Sequence, residues 1–164
     1  MAKFIEGRYT AQMDGSFVVF VIGVRIHQLW KLHRWIPIIV SMQKMIIELY
    51  GNKNLGFLDM KFFISWRGVT LLQYWRSFDH LERYARQAPL HLKAWKDFNQ
   101  KVAGTGAVGF YHESYVVHAD EYECMYVNMP KYGLARAGEH IPATGKRETA
   151  RGRMGGERSN PGKY

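Results

Sequence analysis

Cys124 is the only cysteine in 164 residues, so no intrachain disulfide can form and a secreted scaffold held by bridges is excluded. Long apolar runs are also missing. The longest uncharged apolar stretch, residues 16–24, is about half of the roughly 20 residues that a membrane-spanning helix needs. The first ten residues carry Lys3, Glu6 and Arg8 without an apolar signal core. These absences lead to the expectation of a cytoplasmic protein with no membrane span. Acidic residues are few, 14 against 23 Lys and Arg, for a net charge of +9. That excess is uneven. Residues 1–130 hold 15 basic and 11 acidic side chains, whereas residues 131–164 hold 8 and 3. The body is only mildly basic, so no nucleic-acid partner is expected.

Apolar and aromatic residues are plentiful, at 47% and 15% of the chain. That suffices for one packed domain, with large flat side chains left over for a pocket or a partner surface. Residues 17–26, following the Asp14-Gly15 turn, are β-branched and apolar on both faces and predict a central strand. Ile38, Met42, Met45 and Leu49 recur at helical spacing after Pro37, which suits the first turn of a helix. The piece before it, residues 27–35, reads as a separate helical turn or an entry loop. Residues 55–65 and 68–75 predict a hairpin. Ser77 caps a helix bearing Leu81 and Tyr84, and Pro89 opens another on which His91, Trp95, Phe98 and Val102 line up. Residues 107–118 predict a strand, and 121–128 a shorter extended piece.

The order β-α-β-β-α-β predicts an α+β, ferredoxin-like antiparallel sheet with helices on one face, over residues 1–130. Such a sheet leaves its second face bare, and here both faces of the strands are apolar. A homodimer, sheet against sheet, is the expectation. Residues 131–164 read as a basic, Gly-rich tail, disordered at least over 147–164.

Gly104-Thr-Gly106-Ala-Val-Gly109 matches a dinucleotide-binding fingerprint, but the helix precedes it and the strand follows, the reverse of what phosphate binding requires. His112 and His118 share a strand face about 20 Å apart, too far for one metal. No metal site is expected. His112 and Glu113, adjacent on that strand, point to opposite faces. His112 is in phase with Phe110, and Glu113 with Tyr111 and Tyr115. Either one of the pair is simply a dimer contact or buried polar group, or one of them lines a site. His91 on an apolar helix face needs a hydrogen-bond partner or a ligand. Arg25 shares a face with Phe17, Val19 and Val21 and calls for a carboxylate, from Glu113 or from a ligand. Tyr74 and Trp75 face opposite ways.

The stretch Gln73-Tyr-Trp-Arg-Ser-Phe-Asp-His-Leu-Glu-Arg-Tyr-Ala85, then His91-Leu-Lys-Ala-Trp95, then His112-Glu113 resembles a mainly bacterial family of monooxygenase-like proteins. That family is related to the fumagillin-pathway monooxygenase and, more distantly, to antibiotic-biosynthesis monooxygenases. The resemblance covers about residues 7–149. It implies a dimeric α/β barrel whose pocket, between sheet and helices, either oxidises an apolar or aromatic small molecule with O₂ and no cofactor, or binds haem. The expected site has His91 as base or proton shuttle, Arg25 and Tyr74 stabilising an anionic intermediate, and Trp75, Trp95, Phe98, His112 and Glu113 contacting substrate. In the haem alternative, degradative or aldoxime-dehydratase-like, His91 or His80 ligates iron. The haem degraders' first-strand Asn has no counterpart in residues 16–26. A non-catalytic dimeric ligand-binding module is the reading from a different class.

Overall fold

The computed structural model describes residues 4–155, which form two compact units. The larger, residues 18–116, holds nearly all of the predicted pattern. Its strands are β2 (Phe17–Ile26), β3 (Phe57–Ser65), β4 (Gly68–Trp75) and β5 (Val108–Val117), and its helices α1 (Leu32–Gly51), α2 (Phe78–Gln87) and α3 (Pro89–Lys101). The sheet order is β3-β4-β2-β5, with β4 antiparallel to both β3 and β2. This is the ferredoxin-like α+β arrangement that the element order predicts.

Local chemistry explains the boundaries. Ser77 Oγ accepts the amide of His80 at 3.3 Å and caps α2. Ala88, preceding Pro89, takes an extended ψ of 120°, as a residue before proline prefers, and so separates α2 from α3. The first helix departs from expectation. It starts at Leu32 rather than near Pro37, making residues 32–35, read as a separate helical turn or an entry loop, part of the same helix. Pro37 therefore sits inside the helix with no N–H for the carbonyl four residues back. The Trp35 indole donates to the Leu29 carbonyl at 3.0 Å and anchors this early start.

Register assigns the side chains to faces. Val18 lies opposite Trp75, Phe20 opposite Gln73, Ile22 opposite Leu71 and Val24 opposite Val69; this row meets the helices. Two core clusters form there. One joins Val18, Leu49, Phe57, Trp75, Leu81 and Tyr84. The other joins Val24, Val102, Ala107 and Val108, with Ile38, Met42 and Phe98 packed against it. The alternate row, Val19 with Tyr74, Val21 with Leu72 and Gly23 with Thr70, points away from them.

The second unit comprises the residues up to 17 and those from 117 on. Its centre is a strand the sequence did not announce, β1 (Ile5–Gln12), flanked antiparallel by β6 (Tyr126–Met129) and β7 (Glu139–Pro142). Helical turns α4 (Leu134–Ala137) and α5 (Ala150–Arg153) and a 3₁₀ turn over Gly145–Glu148 complete it. Residues 131–155, assigned to a tail by composition, thus contain β7 paired with β1. Within the stretch predicted to be disordered, 147–153 carries helical turns, held by Arg153 donating to the Arg147 and Glu148 carbonyls at 2.8 and 2.9 Å. Residues 156–164 lie outside the described part.

Candidate active site

Between the two core clusters the larger unit holds a partly open pocket of about 500 Å³. Its floor is the helix-side row of the sheet, Phe20, Ile22, Leu71, Gln73 and Trp75; its walls come from α1 (Ile38, Met42, Met45) and α3 (His91, Trp95, Phe98). Most of this lining is apolar, as a site for an apolar small molecule requires.

Trp75 is 1% exposed. Its indole N–H donates to Gln73 Oε1 at 2.8 Å, which satisfies a buried polar pair at the cavity floor. Sequence reasoning did not single out Gln73; a Gln two residues before a Trp on a strand places both on one face, and that was the available signal. The Tyr84 hydroxyl donates to Glu48 Oε2 at 2.8 Å. Burial and that carboxylate together push the phenol far above its ordinary range, so Tyr84 keeps its proton at any physiological pH.

His91 stands beside Tyr84, ring centroids 5.8 Å apart. Its Nδ1 is buried without a hydrogen-bond partner. Among the described residues, no other buried, unpartnered polar atom belongs to the cavity lining. Burial lowers the imidazole pKa, with the Ala85 backbone opposing. His91 is therefore neutral near pH 7, able to accept a proton or donate a lone pair.

The expected substrate-contacting side chains separate. Trp75, Trp95 and Phe98 line the cavity. His112 shares the face of Phe110 and meets the rings of Phe20 and Phe110 at 5.8 and 5.9 Å, so it adjoins the lining through those two rings. Glu113 lies on the other face and accepts the Tyr115 hydroxyl at 2.6 Å. Arg25 and Tyr74 fall in the row turned away from the helices, and neither lines the cavity. The alternation that put Arg25 in phase with Val19 and Val21 was sound, but that phase is the opposite face. His80 is also outside the lining. Its Nδ1 is engaged by Ser77 Oγ at 2.7 Å, and its ring occupies the space where a Cβ at Gly56 would lie.

No cluster of three or more potential metal-binding side chains occurs among the described residues, and no helix among them is long and apolar enough to cross a membrane.

The Monooxygenase af470-like family model matches residues 17–134. The chain belongs to this family. Monooxygenase af470 of Aspergillus fumigatus is 31% identical over 161 residues, covering 83% of this chain and 56% of that protein. An aliphatic aldoxime dehydratase of Pseudomonas chlororaphis is 34% identical over 91 residues, 55% of this chain but 22% of the enzyme. The crystal structure of an aldoxime dehydratase in complex with butyraldoxime superposes with a TM-score of 0.68 at 21% identity, covering 83% of this chain and 41% of that one. This likeness shows a shared fold. The chain spans little more than half the length of the first of these relatives and about a fifth of the second.

Proposed function

We propose that this protein is a monooxygenase-like oxidoreductase that takes an apolar or aromatic small molecule into the cavity between the sheet and α1 and α3. The observation that carries this reading is His91, kept neutral by burial and with its Nδ1 unpartnered, in a largely apolar pocket of about 500 Å³. An imidazole kept neutral by burial serves as a general base toward a substrate with an acidic C–H or O–H. Trp75, Trp95 and Phe98 supply flat surfaces that hold the substrate body. Tyr84, always protonated and with its proton given to Glu48, offers an acceptor oxygen next to the base. The resulting substrate anion is the electron-rich species that reacts with O₂. Arg25 and Tyr74, on the other face, have no part in this step.

O₂ uptake across a panel of polycyclic and phenolic substrates tests the proposal. His91→Ala lowers kcat by about a hundredfold or more on any substrate found, while Arg25→Ala leaves it unchanged. An unaltered rate in His91→Ala refutes the role of His91.

The similarity to aldoxime dehydratases supports a second reading, that the cavity holds haem. The residues fit that group: an uncharged imidazole with an open ring nitrogen on a helix beside an apolar chamber is a suitable iron ligand. His91 would hold it, and not His80, which is engaged outside the cavity. Bound haem would supply an iron centre for binding and polarising a small heteroatom ligand; the chain would bind and orient the substrate through Trp95 and Phe98. Haemin titration separates the readings. A sharp Soret band that is lost in His91→Ala supports haem, and a spectrum identical to free haemin removes it.

Pairing of two copies through the sheet row that faces away from the helices, and a cytoplasmic location, belong to the same proposal. The first is supported by Phe63 and Tyr111 on that row, which are 46% and 42% exposed.

A further inference from the structure

The cavity is not apolar throughout. Where the first turn of α1 meets the last turns of α3, its lining changes to His33, Arg34, Asp97 and Lys101. Asp97 is already matched. It accepts Lys93 Nζ at 2.6 Å and Lys101 Nζ at 2.8 Å, and these two lysines hold its carboxyl down at about 2, the Lys101 hydrogen bond contributing most. Arg34 is not matched. It is half-buried, its Nη1 donates to the main-chain carbonyl of Lys101, and no carboxylate pairs with it among the described residues.

Its location makes that omission costly. Arg34 is the third residue of α1, where the helix dipole disfavours a cation. The first turn has no acidic residue, no side-chain cap, and Lys31 and His33 as neighbours. A half-buried guanidinium at the positive end of a helix, with no anion of its own, is an arrangement that an incoming anion relieves. Guanidinium geometry favours a planar, two-oxygen acceptor.

Resting on the reading of the cavity as a small-molecule site, we infer that its ligand is an elongated apolar molecule ending in a carboxylate, which Arg34 receives at the α1–α3 end. The opposite end is His91. Lys101 lies ten positions beyond His91 on α3, about 15 Å along the helix axis. A ligand whose carboxylate reaches Arg34 therefore presents a distant part of its body to His91, and Arg34 sets which carbon is presented. Specificity and reaction are divided between the two ends.

The test uses the full chain, with dodecanoate and dodecanol as probes of equal chain length and quenching of the cavity tryptophans as readout. Dodecanoate is expected to bind the unaltered protein about tenfold or more tighter than dodecanol, the scale of one charge-assisted pair. Arg34→Gln abolishes that preference and leaves dodecanol affinity intact, which also shows that the cavity has survived. Arg34→Lys, a cation without the planar fork, retains part of the preference. Equal affinity for both probes, or a preference that persists in Arg34→Gln, overturns the inference and leaves the cavity reading standing. Failure of both probes to bind overturns both.

Discussion

The two faces of the four-stranded sheet are built from alternate residues of the same strands, yet they have different fates. On one, Phe20, Ile22, Gln73 and Trp75 meet α1 and α3 and floor the cavity. On the other, Val21, Leu72 and Tyr111 form an apolar surface with Arg25, Tyr74 and Glu113 in the same row. Tyr111 lies across Gly23, where a Cβ would come within 2.6 Å of its ring, and its hydroxyl pairs with Thr70 Oγ1 at 2.6 Å. Equal hydrophobicity thus does not mean equal role. The helix-side face gains its free energy and its site within the chain, whereas the other face has apolar surface that a second layer would bury.

The largest effect that would sharpen this contrast is on stability. Trp75→Ala should cost about 3–5 kcal/mol, the range for a buried aromatic, against about 1 kcal/mol for Tyr74→Ala on the adjacent position. Urea denaturation of both variants measures it, and similar losses would erase the distinction between faces. Next comes ligand affinity. Ala94→Trp, which pushes an indole into the cavity lining, should weaken dodecanol binding about tenfold or more by occluding the chamber. Phe63→Ser on the other face should leave it unchanged. Conversely, Phe63→Glu should weaken the proposed pairing of two copies about tenfold in sedimentation equilibrium, through an unpaired charge in an apolar contact, with ligand affinity unaffected. A smaller effect concerns pH. Because burial lowers the folded-state pKa of His91 below 6.5, the unfolded chain binds more protons just below that value. Its contribution to stability is therefore full above about pH 6.5 and is lost as pH falls through the folded pKa. His140 is shifted in the same direction, by burial and by Lys131. The comparison is therefore His91→Gln in a His140→Gln background, where the acid-side slope of Tm against pH should flatten. The smallest effect is expected for Glu113→Gln, exposed and bonded only to Tyr115 among the described residues, at within about 0.5 kcal/mol.

Much of the larger unit was legible. Strand β2, the hairpin over Phe57–Ser65 and Gly68–Trp75, the Ser77 cap and the Pro89 helix start each depend on neighbours within a few residues, and such signals survive in a single sequence. Helix α1 was read short because Pro37 carries a strong start signal, while the anchor that extends the helix, Trp35 to the Leu29 carbonyl, depends on a side-chain orientation that no pattern announces. The smaller unit was largely illegible for another reason. Strand β1 carries Glu6, Arg8 and Gln12 among its residues and finds its partners more than a hundred positions away, at Tyr126 and Ile141. Pairing over that separation leaves no periodic trace in either short partner strand.

The site divides along the same line. Helical spacing by itself placed His91, Trp95 and Phe98 on one face, and strand alternation placed Arg25 apart from Phe20 and Glu113 apart from His112. Those assignments follow from the fixed periods of helix and strand. Which face of the sheet receives the helices was decided by tertiary structure alone. A period of two separates residues into two sets without saying which is inside, and with both sets apolar the choice falls to packing, at Trp75, Leu81 and Tyr84 on one side. The approach of Arg34 to the end of α3 was decided there too, because it joins residues 67 positions apart whose charges carry no pattern until the helices lie together.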